Sequence, residues 1–172
     1  MGGVFFEYLQ QLEMLAFFSG YPLVYLFIHV IARNRTLRSK KDVKYISLLP
    51  IAYALVGTLY LGLQFRNLYP DYSIQNIRQK IPQVYLFIWG LLSILFWIPK
   101  IANKPVLSIL HSLVFFFLIL RDLFFQVTGM ISDRNILEND MRIYTVSLLL
   151  NLAAFTLSVL TSFLLGLYRK KR

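Results

Sequence analysis

The chain has no cysteine, which excludes disulfides, thiolate metal sites and dithiol redox chemistry and leaves the compartment open. Acidic residues are scarce, eight against eighteen Lys and Arg, for a formal net charge of +10. Histidine occurs only as His29 and His111, with no further His, Cys or Glu-x-x-His pair to complete a metal centre. No nucleophile–base–orienter motif, Gly-rich phosphate loop or zinc spacing is present. The stretch around Asp133, Glu138 and Asp140 lacks the alternating ligands and central Gly of an EF-hand. At the start, MGGVFFEYLQQLEM has no basic n-region, so no cleavable signal peptide is expected. Phe6 stands where a myristoylation signal needs Ser or Thr.

Apolar residues fill the space these absences leave. Of the 172 residues 58% are hydrophobic and 15% charged, and several apolar runs approach the roughly 20 residues that a spanning helix needs. The expected architecture is an all-α, polytopic helical membrane protein forming one transmembrane domain over residues 1–172, with little chain left for a catalytic globular module.

The basic residues set its orientation. Twelve of the eighteen fall in three places: Arg33, Arg35, Arg38, Lys40, Lys41 and Lys44; Lys100 and Lys104; and Arg169, Lys170, Lys171 and Arg172. These are alternate loops, so the charge reads as positive-inside topology, with attraction to anionic lipid at the inner face and no role for nucleic acid. Five helices are expected, near 15–32, 45–65, 81–98, 106–127 and 144–168, with the N-terminus outside and the C-terminus inside. A bacterial inner membrane fits this pattern, and an organellar inner membrane selects the same one.

Residues 1–20 read as an amphipathic helix leading into the first span, with Phe5, Leu9, Leu12 and Ala16 at helical spacing. Pro22 must either kink a continuous first helix or begin a new one after a surface helix, and the kink is favoured because the part beyond Pro22 is too short to cross alone. The basic stretch 33–44, the polar loop 66–80 with Tyr69, Pro70 and Asp71, and the acidic loop 128–143 separate the spans. Pro99 to Pro105 is short enough to make the third and fourth spans an antiparallel hairpin. Asn34-Arg35-Thr36 matches a glycosylation acceptor, but this topology places it on the inner side. Pro22-Leu-Val-Tyr-Leu-Phe-Ile28 returns as Pro82-Gln-Val-Tyr-Leu-Phe-Ile88. A tandem duplication of a helical hairpin would produce this, as in some transporters; so would the small alphabet of apolar spans, and the loops that follow differ in length and charge.

In the fifth span Ser147, Asn151, Ala154, Ser158, Ser162 and Gly166 recur at spacings of four and three, which puts small and polar side chains on one face. Such a face lets another backbone approach closely, within the chain or in a second subunit. Ser47, Ile51, Ala54, Thr58 and Gly62 form a weaker version in the second span and are its expected partner.

Charge inside apolar sequence is confined to Arg121 and Asp122, about 24 Å along the fourth span from Pro105. Neighbouring residues diverge by about 100° around a helix, so separate partners are expected, Glu13 for Arg121. Together Glu13, Arg121 and Asp122 are the candidates for an ion or proton pathway; the plainer role is a fixing salt bridge with snorkelling to the interface. His29 and His111, both toward the inner side, are the candidate ligands of a haem b iron.

Three functions follow. A non-enzymatic subunit or assembly partner of a larger membrane complex, binding other membrane proteins or itself and needing no cofactor, demands least. A small transporter or channel component would use the repeat and Asp122. A haem-bearing electron carrier would use His29 and His111.

Overall fold

The computed structural model describes residues 14–34, 40–70, 72, 73, 75, 84–128 and 134–170. Every regular element among them is helical: α1 (Tyr21–Asn34), α2 (Lys40–Leu68), α3 (Val84–Leu91), a 3₁₀ segment (Leu92–Trp97), α4 (Pro99–Ala102), α5 (Pro105–Val127) and α6 (Arg134–Lys170). Among the described residues four stretches are long and apolar enough to cross a membrane: Met14–Ile31, Ile46–Leu68, Pro105–Phe125 and Met141–Leu164.

The first of these is interrupted. Residues 14–18 are helical, 19–20 form a turn, and α1 resumes at Tyr21. Pro22 explains the position, because its nitrogen has no hydrogen for the carbonyl of Phe18 and its ring crowds that carbonyl. Residues 1–13, most of the expected amphipathic helix, lie outside the described residues.

α2 is the hub and packs on every other helix, most extensively on α6 and the 3₁₀ segment. Its buried face is Leu49, Ala52, Tyr53, Val56 and Tyr60. The expected small-residue stripe points elsewhere: Ser47, Thr58 and Gly62 are exposed and only Ala54 is buried. The inward row thus sets the large rings of Tyr53 and Tyr60 beside the small Ala52 and Gly57.

The third apolar segment departs from a regular span. Within the described residues α3 and the 3₁₀ segment run from Val84 to Trp97, and the rise changes from about 1.5 to about 2.0 Å per residue where one passes into the other. Gly90, Ser93 and Phe96, three apart, are all buried; a 3₁₀ repeat stacks such residues in one straight row, where an α-helix would rotate the last away. That row lies antiparallel to α2, with Gly90 against Tyr60, Ser93 against Gly57 and Phe96 against Tyr53. A Cβ on Gly57 would overlap the Ser93 hydroxyl, so the approach depends on glycine at that position.

α6 starts at Arg134, ten residues before the expected Tyr144, and its 37 residues extend about 55 Å. No proline or glycine breaks the sequence from Arg134 to Leu165, and nothing in that polar stretch ends a helix. The similarity between residues 22–28 and 82–88 does not correspond to similar surroundings. Val24 and Tyr25 are buried where Val84 and Tyr85 are exposed, and Leu26 is 57% exposed where Leu86 is 4%. A duplicated hairpin about a pseudo-axis would keep equivalent faces inward; Pro82 and Gln83 are outside the described residues.

At the α1 interruption, a Cβ on Gly20 would lie 2.5 Å from the backbone nitrogen of Leu148 in α6. Gly20→Ala is expected to lower stability by about 1–3 kcal/mol, read as a reduced thermal midpoint in detergent. Gly62→Ala, where a Cβ meets nothing within 4 Å, is expected to leave it unchanged or slightly raised. Equal effects at both positions would show that the two backbones do not meet this closely.

Candidate functional site

Among the described residues, the hydrogen bonds that join buried polar groups of different helices gather at two places, and the charged pair makes a third. The largest group centres on His111, which α5 carries into the aromatic core. Its Nε2 lies 2.7 Å from the carbonyl oxygen of Trp89 and its Nδ1 lies 2.7 Å from the hydroxyl of Tyr53. A carbonyl can only accept, so Nε2 carries the proton, and the Tyr53 hydroxyl donates to Nδ1 of the neutral ring. Trp89 answers with its indole N–H to the His111 carbonyl at 3.1 Å, and the two rings stack at 4.9 Å and 7°. The same aromatic core holds a second polar pair, the hydroxyls of Tyr21 and Ser108, 2.8 Å apart.

The second place is the α1 interruption. Gly20 N–H donates to Ser147 Oγ at 2.8 Å, and the Asn151 amide donates to the carbonyls of Phe17 and Ser147, both at 2.8 Å. Backbone groups freed inside an apolar region need internal partners, and α6 supplies them from one face. Asn151 Oδ1 is buried without a hydrogen-bond partner among the described residues. Of the predicted α6 face, Ser147, Asn151, Ala154 and Ser158 are buried in this chain's own contacts, Ser162 is half-buried and Gly166 lies farther along the same helix.

Arg121 and Asp122 pair with each other, through Nε and Nη2 to Oδ1 at 3.0 and 2.8 Å. The expectation of separate partners fails because the flexible arginine stem bends back across the divergence between adjacent Cβ positions. Glu13 lies outside the described residues, so the expected pair with Arg121 does too.

The two histidines sit in different surroundings. His29 is exposed with its ring against Tyr25, centroids 6.1 Å apart, while both nitrogens of His111 already hold hydrogen bonds. Iron on His111 would replace one of them. Among the described residues no three His, Cys, Asp or Glu side chains form a metal-binding group. Tyr53, Trp89, Tyr21 and Ser108 are members of the polar core that sequence reasoning missed. The available signal was two hydroxyl-bearing tyrosines, Tyr53 and Tyr60, seven apart in an apolar helix, and a Trp in mid-segment away from an interface.

No protein-family model, curated protein or solved structure matches the chain.

Tyr53→Phe leaves His111 Nδ1 buried without a donor and is expected to cost about 1–3 kcal/mol. Tyr85→Phe, on an exposed ring, is expected to cost nothing measurable. In a His111→Phe background the Tyr53→Phe cost should shrink. An unchanged cost there would place the tyrosine's contribution in its packing.

Proposed function

We propose that the chain is a multi-pass membrane protein of five crossing segments, N-terminus outside and C-terminus inside, acting as a non-enzymatic partner of other membrane proteins. The observation that supports this most is the third segment. Its inner row is consumed against α2, while Tyr85, Ile88, Leu92 and Leu95 are exposed. Its second half is a 3₁₀ segment of six residues, whose backbone hydrogen bonds are poorer than those of an α-helix, and packing against a neighbouring helix offsets that cost. The small-residue face of α6 is occupied within the chain, which leaves the third segment as the seat for another membrane-spanning helix. The three basic clusters support the orientation and a preference for anionic lipid at the inner face, in a bacterial or an organellar inner membrane.

A second reading, a transporter component, is favoured by the interrupted first helix. Discontinuous helices whose freed backbone groups meet polar side chains are used for substrate and ion sites in transporters.

A photo-crosslinking residue at Ile88, in native membranes, is expected to yield a discrete protein adduct. The same residue at Leu160, on the exposed side of α6, is expected to yield lipid adducts alone. Lipid adducts alone from Ile88 would sink the partner reading, and ion-dependent protection of the first helix from labelling would favour transport.

A further inference from the structure

We propose that Arg121, Asp122 and the groove beside them bind a phospholipid whose headgroup carries both a phosphate and a primary ammonium, a phosphoethanolamine lipid. The proposal rests on reading the chain as membrane-spanning. Both hydrogen bonds from the guanidinium end on the same oxygen, Asp122 Oδ1. The other edge of the guanidinium, with the two N–H of Nη1 and the second N–H of Nη2, takes no partner among the described residues, and neither does Asp122 Oδ2. A free guanidinium edge is a fork matched to two phosphate oxygens, and a free carboxylate oxygen is an acceptor for an ammonium N–H.

Charge selects the headgroup. The pair is formally neutral, so a headgroup with phosphate alone gains Arg121 but faces repulsion from Asp122. A zwitterion complements both. A quaternary ammonium has no N–H to give Oδ2, which separates ethanolamine from choline.

The groove supplies the rest of the lipid's requirements. It has a volume of about 590 Å³ and is lined, besides Arg121, by Phe117, Leu120, Leu123, Phe124 and Val127. Along α5 it runs about 9 Å from Arg121 toward Val127 and about 6 Å from Arg121 toward Phe117, so with the headgroup on Arg121 the start of the acyl chains meets Leu120 and Phe117. Arg121 is 52% and Asp122 24% exposed, close to where α5 ends at Val127, a place for headgroups.

The test is native mass spectrometry of the full chain in detergent, with equimolar phosphatidylethanolamine, phosphatidylcholine and phosphatidylglycerol of identical acyl chains. Phosphatidylethanolamine adducts are expected to exceed each of the others about fivefold, the ratio of a single exposed charge contact of about 1 kcal/mol. Asp122→Asn should abolish the preference over phosphatidylcholine and raise phosphatidylglycerol binding. Arg121→Gln should reduce all three, and Arg66→Gln should leave the pattern unchanged, with helical circular dichroism confirming folding. Phosphatidylglycerol bound as well as phosphatidylethanolamine, or a pattern indifferent to both variants, would overturn the site. Release of the chain from membranes by alkaline carbonate would instead overturn the membrane reading beneath it.

Discussion

Four parts of the chain meet on one side chain, Tyr53. Its ring touches Phe18 and Tyr21 from the first span, Phe96 from the 3₁₀ segment and His111 from α5, and its hydroxyl fixes the His111 ring. Between helices in lipid there is little hydrophobic force, since hydrocarbon is as apolar as the side chains it would release; packing and internal hydrogen bonds carry association instead. Tyrosine serves both purposes, with a broad face for edge-to-face and tilted contacts and one polar atom that must find a partner when buried. The rest of the core repeats this economy. Phe18 stacks on Phe115 at 4.8 Å and meets Tyr60 edge-on at 5.2 Å, and outside the core, at the exposed rim, Trp97 reaches Thr58 through its indole N–H at 2.9 Å.

The same requirement for internal satisfaction explains why α6 carries polar residues on its buried face. Pro22 makes a regular first helix unattainable, and the groups released at the turn would be costly in an apolar setting. Ser147 and Asn151 accept and donate where the turn donates and accepts, and the absence of a side chain on Gly20 lets α6 come near enough for those short residues to reach. Proline in one segment thus accounts for a glycine beside it and for two polar residues more than a hundred positions away. Asn151 is the more constrained of the two, because its amide bridges two carbonyls on different helices.

Much of this was legible in sequence, and the reasons for the exceptions are physical. Apolar length located the four stretches long enough to cross a membrane, the proline located the interruption to within two residues, and four of the periodic small and polar residues of the last helix, Ser147, Asn151, Ala154 and Ser158, are buried. Side-chain size misled in α2, where a small stripe looked like the contact and the neighbouring row of Leu49, Tyr53, Val56 and Tyr60 was buried instead. Periodicity assumes 3.6 residues per turn, so it could not register the 3₁₀ row of Gly90, Ser93 and Phe96, whose spacing of three is set by what α2 presents. The matching stretches 24–26 and 84–86 turn different residues inward for a related reason: which side of an apolar helix turns inward is decided by its neighbours, and both sides are apolar enough to meet lipid.

The distribution of polar groups constrains where this protein can meet anything else. In the core, His111, Tyr53, Tyr21 and Ser108 spend their hydrogen bonds on one another and on the carbonyls of Trp89 and Pro105, and aromatic rings fill the space between them, so a solute entering there would displace bonds already made. The outer surface differs. Arg121 and Asp122 satisfy each other only in part, on a helix face otherwise composed of apolar side chains, and the third segment turns Leu92 and Leu95 outward over its 3₁₀ half. A chain that closes its interior and leaves these two features outward carries its unspent polar and apolar surface on its flanks.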